Sequence, residues 1–418
     1  MSDMNIKGRG RGKFKPAPDL SQEQVTRVLK EKIAAEMELI HEGGYVQKTN
    51  ANKYYKNGKY NVVSLFAGCG GLDLGFELAG LEAVIGQNKA MDCYKDKNKY
   101  FKRREESIFN TIYVNDNFTE ALESYEANFP KDVVIDDSDI KKVRSFPSAE
   151  LVLGGFPCPG FSEAGPRLID DDRNFLYIHF IRCLMQVKPK FFVAENVKGM
   201  MTLGKGEVLK QIFEDFKAAG YEVKYNLLNA CDYGVPQLRE RIFLVGVRND
   251  INYNYIFPTQ THGTGNSLLE KCPTLRDTIW DLKDDPGAYF TGSYSTIYLS
   301  RNRKKEWDDL SFTIQASGRQ APLHPDGSAM VKLGKDKWEL PNGENSHRRL
   351  SVREIARIQT FPDWFEFSMG NNHKLSNNGK LDKAYKQIGN AVPVLLAKAV
   401  AKPIASYAVR DVKFSSTD

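Results

Sequence analysis

Between Tyr60 and Val247, short apolar runs alternate with stretches whose apolar residues recur every three or four positions. The runs Asn61–Phe66, Leu81–Ile85, Thr111–Val114, Val133–Ile135, Leu151–Leu153, Phe191–Ala194, Tyr221–Leu228 and Ile242–Val247 predict strands. Leu72–Leu78 closed by Gly80, Phe175–Val187, and Val208–Ala219 closed by Gly220 predict helices. Alternation of this kind predicts an α/β fold with a mostly parallel, doubly wound sheet. The last two strands, joined through Pro236, read as an antiparallel hairpin. Upstream, Ser21 and Gln24 have capping-box spacing. Val25, Val28, Leu29, Ile33, Met37 and Ile40 then predict a helix that ends before Gly43-Gly44. After Val247 the pattern dissolves into Asn, Gly, Pro, Thr and Tyr, with β-like pieces such as Ser295–Leu299. Helical spacing returns at Val352, Ile355, Ile358 and Gln359, and again over Val392–Tyr407. Four parts follow: an arm and helix (1–59), a large α/β domain (60–248), a small loop-rich domain (249–373) and a C-terminal return (374–418).

Composition narrows the class without naming a function. The 418 residues carry 59 Lys and Arg against 53 Asp and Glu, a net charge of +6. Collagen-like, mucin-like and wholly disordered readings are excluded. No uninterrupted apolar run approaches the roughly 20 residues that span a bilayer. The polar start carries no secretory signal. Cys69, Cys93, Cys158, Cys183, Cys231 and Cys272 are scattered, with no C-x-x-C and no paired Cys/His spacing. A soluble protein of a reducing cytosol, without a metal, is the expectation. Arg9, Arg11, Lys13 and Lys15 make the first 20 residues a flexible basic arm.

Open α/β sheets bind ligands at the carboxyl ends of their strands. Phe66-Ala67-Gly68-Cys69-Gly70-Gly71 stands at such an end, where glycines admit positive φ and a close ligand. A tight strand–helix turn explains the same residues. Asp73 breaks the dinucleotide fingerprint, which disfavours a pyrophosphate and leaves room for an adenosyl group with an amino acid tail. Asp116 and Asp139 follow later strands, as a ribose-binding acid does and as ordinary exposed acids do.

Cys158 lies between two prolines in Gly154–Ser162, an exposed preset loop suited to a nucleophile. Glu195-Asn196 ends a central-looking strand, where partial desolvation raises a carboxyl pKa and suits proton donation to a ring nitrogen. A capping Asn beside a solvated Glu fits equally. Gln237, Arg239 and Arg241 alternate and project to one face. Their forks suit phosphates or carbonyl oxygens, or form a surface cluster paired by Glu240.

In this order, these pieces resemble the DNA (cytosine-5)-methyltransferases over roughly Tyr60 to Ile404. The carrying motifs are Phe66–Gly71, Gly155–Ser162, Glu195-Asn196-Val197, Gln237–Arg241, Arg349–Pro362 and Gln387–Pro393. The resemblance implies a Rossmann-like S-adenosyl-L-methionine-dependent methyltransferase sheet with a smaller target-recognition domain. It implies that Phe66, Gly68, Gly70, Gly71, Leu72, Asp116, Asn117, Asp139, Ile140, Pro157, Asn390 and Val392 bind S-adenosylmethionine. Phe66 stacks on the adenine, Asp116 takes the ribose, and Asp139 faces the adenine amine. Cys158 adds to cytosine C6, Glu195 contacts N3, Arg239 lies near O2, Asn196 orients the site, and Arg241 holds a phosphate or the loop. That loop runs through Asp172-Arg173, and Arg173 and Gln237 join the DNA contacts. The chain departs from the pattern at Pro159, Asn117 and Leu238. About two dozen extra residues near Asn88–Asn110 leave Gln87-Asn88 as a competing ribose site.

In the recognition region, Ser295–Arg303 and Thr313–Gln320 are similar to segments of enzymes that modify GGCC or GGNCC. Arg301, Arg303 and Arg319 are the candidate guanine readers, through O6 and N7. Arg301 and Arg303, with Lys304 and Lys305, also fit plain phosphate binding. The implied partners are double-stranded DNA and a restriction endonuclease of the same specificity, with a monomeric bacterial enzyme in the cytoplasm at the nucleoid. Other readings are a silent DNA-binding relative, a transfer-RNA methyltransferase and, least, a nicotinamide oxidoreductase.

Overall fold

A computed structural model describes residues 21–42, 50–157, 175–265 and 268–415. Cys158, Arg173 and the basic arm therefore lie outside the described residues.

Helix α1 spans Gln22–Glu42, and its capping box forms: Gln24 N donates to Ser21 Oγ (3.3 Å) and Ser21 N to Gln24 Oε1 (2.9 Å). The main sheet has seven strands: β1 (Tyr60–Leu65), β2 (Phe109–Asn115), β3 (Val134–Asp136), β4 (Leu151–Gly154), β5 (Phe191–Val197), β6 (Tyr221–Asn229) and β7 (Glu240–Arg248). Their order is β3-β2-β1-β4-β5-β7-β6. Neighbouring strands from β3 to β5 pair parallel, and β7 runs antiparallel to both β5 and β6. The connections reverse direction between β1 and β4, which opens a crevice at their carboxyl ends. The central strands are buried on both faces, so they read as continuous apolar runs.

Helix α2 (Gly71–Ile85) corrects two expectations. Gly80 does not close it, and Leu81–Ile85 is its last turn and not a strand. Gly80 is a packing glycine: a Cβ there would meet Ser107 Oγ at 2.3 Å. The helix stops at Gly86, where φ is +86°. The charged stretch that follows forms α3 (Gln87–Lys95) and α4 (Lys97–Arg103), with Tyr94 and Tyr100 buried against Trp364.

The remaining sheet helices are α5 (Thr119–Asn128), α6 (Tyr177–Val187) and α7 (Glu207–Ala218). Beyond β7 come α8 (Leu275–Ile279), α9 (Val352–Ile358), α10 (Asn377–Asn390) and α11 (Val394–Ser415). The pattern reading missed α10. Ser295–Leu299 is not a strand: Tyr298–Ser300 is a 3₁₀ turn. By length and composition the helical span Asn377–Lys413, which takes in α10 and most of α11, could cross a bilayer, but Leu396, Val400, Ile404 and Ala408 lie fully buried against the sheet layer. Gly75 lets α11 approach α2, since a Cβ there would sit 2.4 Å from Ala397 Cβ.

Candidate active site

The carboxyl edge of the sheet gathers most of the predicted cofactor residues. Phe66 follows β1 at φ +54°, in the left-handed region, and is half-buried. Gly68 N donates to Asp116 Oδ2 (2.8 Å), and Phe118 N donates to Asp116 Oδ1 (2.8 Å). Asp116, not Gln87 or Asn88, thus stands at the end of β2 beside the glycine turn; the other two begin α3 and are exposed. Burial pushes the Asp116 carboxyl up, against hydrogen bonds from Phe118, Gly68 and Asn117 that pull it down.

Each glycine of the turn has its own reason. Gly70 sits at φ +88°, and a Cβ would lie 2.5 Å from the Phe129 ring. A Cβ on Gly71 would lie 2.6 Å from Val392 O, so the C-terminal return rests on the turn. Among the described residues, Gly68, at φ +56°, has nothing within 4 Å of its Cβ position. An open backbone beside a carboxylate that keeps free lone pairs fits an adenosyl group. Leu72, Ile140 and Val392 are buried in the apolar clusters, whereas Asn117, Asp139 and Asn390 are exposed. Pro157, the residue before Cys158, is half-buried.

Glu195 is held on β5 and points to the same edge. Its Oε1 lies 3.0 Å from Arg241 Nε on β7. Register explains the pair: Glu195 faces Phe243 and Val197 faces Arg241, so the two are diagonal neighbours on one face. Burial pushes the Glu195 carboxyl up, and Arg241 and then Arg239 oppose it. A Cβ on Gly155 would come within 3.3 Å of Glu195 Oε2, so the chain leading to Cys158 passes directly over this carboxylate. Asn196 Nδ2 donates to Phe156 O (3.1 Å), fixing the root of that loop.

Arg239 is placed differently from Arg241. Its guanidinium is almost fully buried and donates to Ile314 O (3.0 Å), Gly389 O (2.8 Å) and Ala391 O (3.1 Å). The side chain expected near the cytosine O2 thus ties the entry to β7 to the chain at Ile314 and at Gly389–Ala391. Arg241 is the arginine bonded to Glu195. Gln237, expected among the DNA contacts, is fully buried: Ile314 N donates to its Oε1 (3.0 Å), and its Nε2 donates to Gln359 Oε1 (2.6 Å). Gln359 in turn donates to Ile388 O and Ala391 O (2.6 and 3.1 Å). Its only signal in the sequence was a polar residue at the end of an apolar helical stripe.

Among the arginines expected to read DNA, Arg301 and Arg319 are exposed, whereas Arg303 is buried. Arg303 donates to Tyr298 O (3.1 Å) and Gln320 Oε1 (2.6 Å), and its guanidinium covers the Tyr298 ring at 4.8 Å. Burial pushes its pKa down to about 10. Arg301 and Arg303 therefore do not share one outward face: Arg301 is exposed, whereas Arg303 is held inward by Tyr298 and Gln320. Lys304 is likewise buried and bonded to Glu306 (2.8 Å).

Comparison with known proteins agrees with this construction. The profile of the C-5 cytosine-specific DNA methylases matches residues 60–406. The chain is 63% identical over 406 residues to the Type II methyltransferase M.BsuRI of Bacillus subtilis, covering 97% of this chain and 93% of that protein. It is also 63% identical to M.BspRI of Lysinibacillus sphaericus, over 97% and 95% of the two chains. A putative prophage-encoded DNA modification methyltransferase from E. coli shares the fold, with TM-score 0.57 and 20% identity over 84% of this chain and 100% of that one. From its fold and these relatives, the chain belongs to the C-5 cytosine-specific DNA methylase family and is a DNA (cytosine-5)-methyltransferase.

Proposed function

We propose that this enzyme methylates C5 of a cytosine turned out of duplex DNA, within a GGCC or GGNCC site, and that Cys158, Glu195 and Arg241 do the chemistry. The observation that carries the reading is the Arg241–Glu195 pair beneath the Gly155–Pro157 turn that leads to Cys158. A stacked cytosine cannot be reached by a nucleophile above its ring, so the base must leave the helix, at about a few kcal/mol. The Cys158 thiolate adds to C6, and negative charge develops over N3, O2 and C5. Glu195, with its carboxyl pKa raised, donates a proton to N3. Arg241 orients that carboxyl and offers its guanidinium to O2, the role the sequence motif had suggested for Arg239. C5 is then nucleophilic. After methylation a base removes the C5 proton and the thiolate departs.

S-adenosylmethionine, when bound, supplies the electrophilic methyl group. Phe66, the Gly68–Leu72 turn, Asp116 with Asn117, the Asp139–Ile140 turn, Pro157, and Asn390 with Val392 hold it. Asn196 keeps the Cys158 loop rooted. Arg301 and Arg319 read guanine edges, with Arg303 bracing the segment and Arg173 contacting DNA. The Type II relatives support pairing with an endonuclease of the same specificity.

Bisulfite sequencing of DNA from cells expressing the protein tests the reading. One protected cytosine within a GGCC-type site is expected. The Cys158→Ala variant should lose methyl transfer and keep DNA binding; equal activity in that variant sinks the covalent mechanism.

A further inference from the structure

Helix α1 precedes the family-matched residues 60–406, yet it packs on α6 and on the segment that follows β3. Val25 and Leu29 enter the same buried cluster as Ile140 and Val143. Further along the helix, Glu36 is only 5% exposed. Its Oε1 accepts from His179 Nε2 on α6 at 2.7 Å. Lys141 Nζ lies 2.9 Å from Oε1 and 3.1 Å from Oε2 of the same carboxylate. Burial raises the Glu36 carboxyl, but the bonds from His179 and Lys141 outweigh it and hold the pKa low. Burial also lowers the His179 pKa, so a neutral imidazole donates its Nε2–H.

Desolvation offsets much of the attraction within a buried ion pair, so the pair as a whole is weak evidence for stability, and holding an arrangement is the role considered for Glu36. What it fixes here is the turn Asp139–Val143. Lys141 N donates to Asp139 Oδ1 (3.0 Å), and Lys142 N to Asp139 O (2.7 Å). On the other side Arg182 of α6 donates to Ile140 O (2.8 Å) and to Val143 O. Asp139 therefore stands exposed on a turn clamped by Arg182 from α6 and by Glu36 from α1.

We propose that Glu36, acting through Lys141, is a positioning residue for cofactor binding, so that the N-terminal helix sets the affinity for S-adenosylmethionine. The inference rests on the reading that the Asp139–Ile140 turn receives the adenine. Without the clamp the turn must be ordered at the moment of binding, which weakens affinity and leaves the bonded reaction geometry intact.

Calorimetric binding of S-adenosylhomocysteine to the full chain, without DNA, reads this directly. Glu36→Ala and Lys141→Ala should each weaken binding about fivefold to tenfold, the lower range of a coupling between sites. The double variant should be no weaker than either single one. Glu36→Gln, which keeps an acceptor for both partners, should recover part of the loss. The KM for the cofactor should rise in proportion while kcat at saturation and DNA affinity hold. If Glu36→Ala does not fold, Lys141→Ala carries the measurement. Unchanged binding in Lys141→Ala, or additive losses in the double variant, overturns the proposal. Asp139→Ala separates the two layers: if it binds normally the adenine placement fails, and if it alone is weakened only the role of Glu36 fails.

Discussion

Arg241 and Glu195 sit on adjacent antiparallel strands, two residues out of register, and close the diagonal with 3.0 Å between Nε and Oε1. The arginine does two things to the acid: it fixes the direction of the carboxylate, and it lowers a pKa that burial has raised. A proton donor needs both, a defined aim and a pKa near the working pH.

The pH profile follows with a definite sign. In the proposed mechanism the protonated form of Glu195 is the active one, so the rate should fall as pH rises through its folded pKa. Arg241→Ala removes the larger of the two restraints on that pKa. The alkaline limb of kcat/KM should therefore move to higher pH. The maximal rate should fall by roughly 10²-fold to 10³-fold, as for other lost oxyanion donors. An alkaline limb that stays in place would assign the limb to another group.

Arg239 should behave in the opposite way. It makes no bond to Glu195 and satisfies three backbone carbonyls from two other parts of the chain. Hydrogen bonds to a charged donor contribute about 1.5–3 kcal/mol each, so Arg239→Ala should cost at least about 3 kcal/mol in denaturant unfolding. Arg239→Lys should rescue little, because an ammonium cannot reproduce a planar fork. Gln237→Ala should also lower stability while leaving the salt dependence of DNA binding unchanged, since a fully buried amide contacts no phosphate. A stable Arg239→Ala enzyme with normal melting would show that the seam is not held by this residue.

Glycines test the close approaches. Gly75→Ala drives a methyl into Ala397 at 2.4 Å and Val394 O at 2.7 Å, where α11 crosses α2. Neither neighbour can rotate away, so a loss of about 1–3 kcal/mol is expected in thermal or denaturant melts. Gly68→Ala meets no atom of the described residues within 4 Å and differs only in its φ of +56°. It should cost about 1 kcal/mol and weaken S-adenosylhomocysteine binding more than it weakens the fold. Equal melting losses in the two variants would contradict this division.

The parts legible in the sequence are those where local pattern and burial agree. Continuous apolar runs gave β4 and β5 within a few residues, because strands covered on both faces have no polar side. The end of α2 was misread because Gly80, which serves packing against Ser107, has the look of a helix terminator. The insertion was opaque because α3 and α4 bury only a few aromatic residues against Trp364, far along the chain. Asp116 and Glu195 were visible as acids at strand ends. The division of labour between Arg239 and Arg241 was not, since alternate spacing puts both on one face. Arg239, one residue before β7, reaches the Ile314 and Gly389 carbonyls, whereas Arg241 on β7 reaches Glu195. Glu36 and His179 lie 143 residues apart and carry no motif.

The recognition segment separates in the same manner. Arg301 is exposed, and Arg303 is spent on Tyr298 and Gln320. A guanine reader removed from the surface costs discrimination without touching the fold. Arg301→Ala should therefore weaken binding to the cognate site by about 1–3 kcal/mol, relax sequence preference at one guanine, and leave melting unchanged. Arg303→Ala empties a buried position, leaving Gln320 Oε1 without this donor and removing one of the two guanidiniums over the Tyr298 ring. It should lower unfolding stability by about 1–3 kcal/mol and reduce affinity for all sequences alike. Competition binding against duplexes altered one base pair at a time, together with melting curves, distinguishes the two. If Arg303→Ala instead relaxes preference at a single base pair with its melting intact, Arg303 leaves its bonds to read DNA, and the brace assigned to it here is wrong.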